Sequence, residues 1–597
     1  MRPWEILPLP HPSEFDPGKE DPKYFYDNFV HPMIPDMIRM MSNGIHINQN
    51  EVENLRKVID DVLITVEKTL AKNSLMKKFQ EQQYPKKFKE YKEQVTASCR
   101  TIDHYLKEYD HKNATHRTYA VNEKILLMDD KFKTKPKWSV KDLKDFNLYL
   151  EDHYMQGIID KTISKDSSII KMAMHRLARD KMNIWNKVRT DKVKAATFED
   201  LVPPFNPGSS KQKQEFFDYI GKEALAFSKD TGLPSWGREQ IEQLLKEESD
   251  PIIKEVLQMF VDHSFSAIIR NNFLEAFDSF TIDGVLYGGV KLFGTKTFRP
   301  TGNSPNFLQL PSTGSIYAKP LKKCLVAPPG YKVWTIDYAA LEDRVIANLS
   351  KDENKIAVFT EGLDGHSLAA TYYYPLQMEK FIGKYTNNKE ASKLFKKLTK
   401  TDPAAKALRQ DGKGNTFKLA YGGYPDISKG GVITQEIFDN YHNKMYPGIS
   451  TMRDQAIGIA KHNGYLHMGL GCRIYADDIE RDSRTLFNSL SQFWSILTLI
   501  SINELHHYMD KENKHEEIKI TATIYDAIYG IVRDDPASIK WLNDTVCPIM
   551  EKDFMDNQIV HNEANLEIGD SWASLTELDH GLTESQIQEV LNEKDVE

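Results

Sequence analysis

Apolar positions change period along the chain, and each change marks a different kind of element. A helical period begins near His31 and breaks at Asn43-Gly44. From there to about Lys246 the pattern stays mostly helical, interrupted at Pro203-Pro204 and at Asn206-Pro207-Gly208. Residues 282–345 are strand-rich, residues 350–470 helical, and residues 516–534 hairpin-like. The first thirty residues carry Pro3, Pro8, Pro10, Pro12, Pro17 and Pro22 and read as an extended lead-in. No internal repeat is apparent. This order predicts an α+β fold whose sheet is assembled from distant segments.

Three segments carry candidate chemistry. In VWTIDYAALEDRVIANLS (Val333 to Ser350), a short apolar strand delivers Asp337 at its end, and a helix with Leu341, Val345 and Leu349 on one face follows. A carboxylate at a strand end suits a hard cation such as Mg²⁺, although a helix-capping Asp has the same appearance. In IKITATIYDAIYGIV (Ile518 to Val532), alternating Ile518, Ile520, Ala522 and Ile524 lead into a turn at Tyr525-Asp526, with Asp526 at a hairpin tip. Two such carboxylates can share two metal ions for in-line displacement at phosphorus; a turn alone also selects Asp. In TDPAAKALRQDGKGNTFKLAYGG (Thr401 to Gly423), Arg409, Lys413, Phe417 and Tyr421 recur every four residues and line one slowly winding stripe. Two cations followed by two aromatics can grip a triphosphate and stack on a base. The alternative is an amphipathic surface helix with its aromatics in the core. Gly412 and Gly414 weigh against that, since each costs about 1 kcal/mol in a helix interior without an evident return.

Composition bounds the rest. A chain of 597 residues, 40% apolar and 27% charged, is ordinary for a globular protein of several domains. The longest mostly apolar stretch, Phe493 to Ile502, falls short of a bilayer span, and no signal peptide is visible, so no membrane partner is expected. Cys99, Cys324, Cys472 and Cys547 are scattered without a zinc or disulfide pattern, which points to the reducing cytoplasm. The net charge of −8 is unevenly placed: Ala71 to Asp200 holds 28 basic against 19 acidic side chains. There Lys alternates with aromatics, as in Tyr84 to Lys92 and Lys131 to Trp138, a texture that suits phosphates and bases as well as a solvated helical face.

Taken together the three segments resemble the family-A DNA polymerases, the bacterial DNA polymerase I-like group that includes phage replicases. The first matches the family's D-Y-x-x-x-E-x-R as Asp337, Tyr338, Glu342 and Arg344. The helix matches R-x3-K-x3-F-x3-Y-G as Arg409, Lys413, Phe417, Tyr421 and Gly422, and Asp526 comes last, as in the family. Further similarity lies in HPMIPDMIRMMSNGIHIN, in FNPGSSKQ (Phe205 to Gln212), in Arg299 with SPNFLQLP (Ser304 to Pro311), and in Asp364-Gly365-His366. It continues through MYPGI, Arg484, Asn488 and Gln492 to IGDSW (Ile568 to Trp572).

The resemblance implies a right-hand architecture with an antiparallel palm sheet, helical fingers and a helical thumb carrying a large insertion. Its parts would be a lead-in (1–30), a thumb (31–260, basic insertion about 70–200), palm (261–350 and 471–572), fingers (351–470) and an acidic tail (573–597). It implies a DNA-directed DNA polymerase, of phage replicative type, extending a primer on DNA with dNTPs. Asp337 and Asp526 would hold two Mg²⁺ ions; Arg409, Lys413 and His366 would bind the phosphates, with Lys413 the proton donor. Phe417 would pack on the base and sugar, Tyr421 would sit where the template base enters, and Glu342 would crowd the sugar 2′-position. Arg299, Arg484, Asn488 and Gln492 would contact primer-template.

Departures are equally specific. Where the family's third motif usually reads H-D-E, this chain has Tyr525-Asp526-Ala527, and Gln309 sits one place later than usual in SPNFLQLP. With only about thirty residues ahead of the thumb-like pattern, no preceding nuclease domain is expected. Proofreading is then absent or on a separate 3′–5′ exonuclease chain; such a chain, or a processivity factor, would dock on the lead-in or the thumb insertion. A related single-chain RNA polymerase and a non-catalytic primer-template clamp remain the alternatives, the latter favoured only by Ala527. Thr583 and Gln586 form a possible capping box, but the acidic tail is expected to fray.

Overall fold

The computed structural model describes residues 22–97, 183, 186–187, 190–228, 231–311, 315–420, 423, 425, 433–475 and 479–594. The chain forms two compact units, residues 60–267 and the remainder on either side of them. Most of the basic insertion, including Lys131 to Trp138, lies outside the described residues.

The larger unit is built on a five-stranded antiparallel sheet. Its strands run in the order Ile518–Ile524, Ala527–Arg533, Tyr331–Tyr338, Ala564–Gly569, Thr576–Leu578. The central strand is apolar where it faces neighbours: Val333, Trp334 and Ile336 are fully buried, as a strand flanked on both sides requires. Gly530 opposite Trp334 is obligatory, because a Cβ there would lie 2.4 Å from the indole. A small four-stranded sheet includes Ile45–Ile47 beside Leu325–Val326, with Gly44 at φ +61° ending the helix His31–Asn43 where the sequence break predicted.

Two sequence expectations change. The lead-in is helical from Pro22, through Pro22–Phe25 and the π-turn Tyr26–Val30. Pro22 sits at the start of that helix, where proline is tolerated, and Phe25 and Phe29 stack on each other and bury into the core near Phe293. The described part of the acidic tail is also structured, against the expected fraying. Thr583 caps the helix Glu584–Lys594, Gln586 returns the bond at 2.9 Å, and Ile587 is fully buried on the helix Pro536–Met550. Burial of that apolar face outweighs the repulsion of the acidic side chains.

The helical run Thr485–Glu512 is long and apolar enough to cross a membrane, but 83% of its most apolar window is buried in this core. It carries buried Asn503 and Glu504, the latter paired with Lys552, so it serves as the core helix behind the sheet.

The smaller unit is helical and aromatic-rich. Phe79, Phe205, Phe216, Phe217, Trp236 and Phe260 share one core, with Phe217 and Trp236 stacked at 3.8 Å. FNPGSSKQ forms a turn closed by Asn206, whose backbone N–H donates to Gln212 at 2.7 Å, and Ser209 caps the helix Ser210–Tyr219. Lys213 is buried there with its ammonium donating to the Trp236 carbonyl at 3.0 Å, and burial lowers its pKa.

Candidate active site

Strand pairing brings the two aspartates together. In the register of the sheet Ala527 lies opposite Asp337, so the two-residue turn Tyr525-Asp526 sits at the same sheet end as Asp337. The Tyr338 backbone N–H also points to the Asp526 carbonyl, at 3.5 Å. Beyond Tyr338 the chain leaves the sheet through Ala340 at φ +59° and enters the helix Leu341–Ser350. Loss of water, the charge of Asp526 and that of Glu567 push the Asp337 carboxyl up to about 7. Asp337 nevertheless keeps an accessible edge, so water screens part of that shift and a cation can approach. Burial also raises Asp526, opposed by the charge of Arg299. Neither aspartate has an ion-pair partner among the described residues. Two crowded hard-oxygen donors that repel each other are a donor set that fits divalent cations.

The other members of the first motif divide by role. Glu342 forms an ion pair with Arg299, so the residue expected at the sugar and one expected at primer-template meet directly. Arg344 is structural: buried, it donates to the carbonyls of Ala339 at 2.7 Å and His561 at 2.5 Å and pairs with Glu563. Tyr338 is buried against Ser501, 3.2 Å away.

The helix Pro403–Ala420 carries Arg409, Lys413 and Phe417 as the spacing predicted, with Asp402 accepting from the Ala404 N–H at 2.8 Å at its start. Gly412 does have a structural return. A Cβ there would lie 3.1 Å from the His366 carbonyl and 3.3 Å from the Ala370 nitrogen, so glycine lets this helix approach the helix Gly365–Tyr373. Gly414 faces open space. That approach sets the His366 ring 5.9 Å from the Phe417 ring, with the Lys413 ammonium 5.7 Å from the latter. Burial lowers the His366 pKa; the pull of Asp364 toward the charged form is opposed by Arg409 and Lys413.

These residues border a cavity of about 230 Å³ lined by Asp343, His366, Arg409, Thr416, Phe417 and Phe487, among others. The helix that follows Asp337 thus supplies one wall and the Arg409 helix another. Phe417 is 42% exposed and lines that cavity. Tyr421 and Gly422 lie outside the described residues. Asn488 and Gln492 are half-buried one turn apart on the helix Ile479–Gln492, which also contains Arg484.

Two residues named in the sequence patterns make contacts that those patterns do not assign. Asp364, whose neighbour His366 drew the attention, accepts two bonds of 2.7 Å from Arg409 and a third contact from Lys396 at 3.3 Å. It also caps its own helix through the Ser367 N–H at 2.9 Å. Burial alone would raise its carboxyl, but the bonds from Arg409 and Ser367 hold it well below the usual carboxylate range. The signal available was an Asp at a helix start before a His. The second is Tyr525, whose hydroxyl donates to the Leu308 carbonyl at 2.7 Å; nothing in the local sequence announces that contact.

Comparison with known proteins agrees with this arrangement. The DNA polymerase of Escherichia phage T5 is 25% identical over 426 residues, covering 64% of this chain and 46% of that protein. The thermostable DNA polymerase I of Thermus thermophilus is 30% identical over 179 residues, covering 30% of this chain and 21% of that protein. The chain therefore spans less than half the length of these relatives. Among solved structures, the POL domain of Pol1 from M. smegmatis, in complex with DNA primer-template and dNTP, superposes with a TM-score of 0.51 at 17% identity, covering 76% of this chain and 82% of that one. The sequence pattern of DNA polymerase family A matches residues 174–574, a span that takes in four of the five strands of the sheet, both aspartates and the Arg409 helix; the chain belongs to DNA polymerase family A.

Proposed function

We propose that the chain is a DNA-directed DNA polymerase that adds deoxynucleotides to a primer 3′-end. The observation that carries this reading is the strand register that seats Asp337 and Asp526 at one sheet end, one helix away from a cavity lined by Arg409, His366 and Phe417. In this reading the five-stranded sheet is the palm, residues 351–470 the fingers and residues 31–260 the thumb. When bound, a pair of Mg²⁺ ions supplies activation of the primer hydroxyl and neutralisation of the leaving pyrophosphate, and Asp337 and Asp526 hold that pair. Arg409, Lys413 and His366 bind the triphosphate, and Lys413 gives a proton to the leaving group. Phe417 offers its exposed ring to base and sugar, and Tyr421 meets the template base. Glu342 crowds the sugar 2′-position. Arg299, Arg484, Asn488 and Gln492 serve primer-template.

The charge of the insertion at about 70–200 supports a role in holding DNA or a processivity factor, and the lead-in a docking place for a separate exonuclease. The four scattered cysteines support a cytoplasmic location. Primer extension with Mg²⁺ and either dNTPs or NTPs tests the reading. Templated addition of dNTPs is expected; addition of NTPs alone indicates an RNA polymerase, and DNA binding without extension indicates a clamp.

A further inference from the structure

The two departures from the family pattern meet at one hydrogen bond. Tyr525 stands where the family usually has His, and Leu308 lies in the segment whose Gln309 is displaced by one place. The Tyr525 hydroxyl donates to the Leu308 carbonyl at 2.7 Å. That carbonyl belongs to the tight turn Phe307–Gln309, which Asn306 caps by accepting from the Leu308 N–H at 3.2 Å. The acceptor is therefore held on a fixed loop rather than a loose one. The Tyr525 ring also carries the Arg299 guanidinium, 5.7 Å from its centroid, and Arg299 pairs with Glu342. Tyr525 itself sits at φ +56°, a left-handed conformation that an aromatic residue rarely adopts. The two-residue hairpin turn between Ile524 and Ala527 requires such a conformation, and the Leu308 bond and the Arg299 contact fix the side chain that the turn presents.

We infer that Tyr525 is a positioning residue for sugar discrimination: it ties the segment around Leu308 to the Asp526 turn and, through Arg299, fixes the carboxylate of Glu342. Glu342 can exclude a 2′-hydroxyl only if its carboxylate is held in one place. It stands in the first turn of the helix Leu341–Ser350, and its pair with Arg299 aims the carboxylate. The chain Leu308–Tyr525–Arg299–Glu342 supplies the restraint, with the aromatic face and the hydroxyl as separate contributions. This inference rests on the polymerase reading above and adds to it a residue that would otherwise be regarded as a turn filler.

The test is single-turnover addition of one dNTP, and of the rNTP of the same base, to a matched primer-template by the full chain. Wild type, Tyr525→Phe, Tyr525→Leu, Glu342→Ala and the Tyr525→Phe/Glu342→Ala double variant are compared. Tyr525→Phe is expected to lower the dNTP-over-rNTP ratio by roughly three- to tenfold, the equivalent of one neutral hydrogen bond. Tyr525→Leu is expected to lower it further, since Arg299 also loses the aromatic face. In the Glu342→Ala background, Tyr525→Phe is expected to change the ratio by less than about twofold, because the effect passes through Glu342. A Tyr525 that only secures the loop would lower thermal stability and leave the ratio unmoved. Ratios within about twofold of wild type for Tyr525→Phe overturn the inference, as does an undiminished effect in the Glu342→Ala background. Tyr525→Phe decides the matter should Tyr525→Leu fail to fold. Absence of any extension by wild type would overturn the polymerase reading as well; extension with an unmoved ratio overturns this inference alone.

Discussion

At the end of the sheet, Asp337 and Asp526 repel each other with no ion-pair partner among the described residues, whereas Arg409 in the 403–420 helix already sits in a two-point pair with Asp364. The two regions prepare for a ligand in opposite ways. The sheet end keeps its charge unmatched, so that a cation entering there relieves repulsion as it binds. The helix keeps Arg409 matched and aimed, so that a phosphate bound there must share or displace an existing partner. Unmatched charge favours affinity, and matched charge favours geometry.

Four substitutions or additions bear on that difference. Within the helix the largest effect is expected at Lys413, which has no ion-pair partner among the described residues: Lys413→Ala should lower single-turnover kcat by roughly 10²- to 10³-fold, the scale of a lost general acid, with little change in primer-template affinity. Asp364→Ala frees Arg409 from its aim. The expected outcome is a rise in the KM for dNTP of roughly tenfold with a smaller change in kcat, since orientation rather than chemistry is lost; a fall in KM would mean that Asp364 competes with phosphate more than it positions Arg409. Divalent cations should raise the melting temperature of the wild-type chain, and Asp337→Asn should melt higher than wild type without cation and lose most of that response. The same response in both would remove the contrast drawn between the two regions.

Asp36 supplies a control outside the site. It is 7% exposed on the helix His31–Asn43. Burial raises its carboxyl to about 6, against the hydrogen bond from Asn503 and the charge of Arg39, with Asp510 and His515 also nearby. A folded-state pKa above the unfolded 3.8 means that ionised Asp36 costs stability above about pH 6, a cost that fades as pH falls toward about 4. Asp36→Asn is therefore expected to stabilise the chain by about 1–3 kcal/mol at pH 8 and by much less at pH 4, without altering the response to divalent cations. Denaturant melts at the two pH values check it.

Much of this was legible in the sequence because the chemistry follows local pattern. The alternation of Ile518, Ile520, Ala522 and Ile524 placed Asp526 in a turn, and the turn is where the structure has it. The four-residue recurrence of Arg409, Lys413 and Phe417 placed them on one helix. What pattern does not encode is pairing between distant segments. The register that sets Ala527 opposite Asp337, the Asp364–Arg409 pair and the bond from Tyr525 to Leu308 each join residues far apart in the chain. Gly412 illustrates the same limit. Its cost to an isolated helix was visible, but its return, the close approach to the His366 carbonyl, exists only between two helices. The helices Pro22–Phe25 and Glu584–Lys594 were misread for a related reason: proline and acidic composition masked the Phe25, Phe29 and Ile587 side chains that the core takes up.

The central claim is that Asp337 and Asp526 form one catalytic pair, and single-nucleotide addition to a primer-template by wild type, Asp337→Asn and Asp526→Asn tests it most directly. The account predicts addition by wild type in Mg²⁺ and a loss of at least roughly 10³-fold in each variant, with primer-template binding retained, as expected where both carboxylates hold the same cations. Near-wild-type addition by either variant would contradict it.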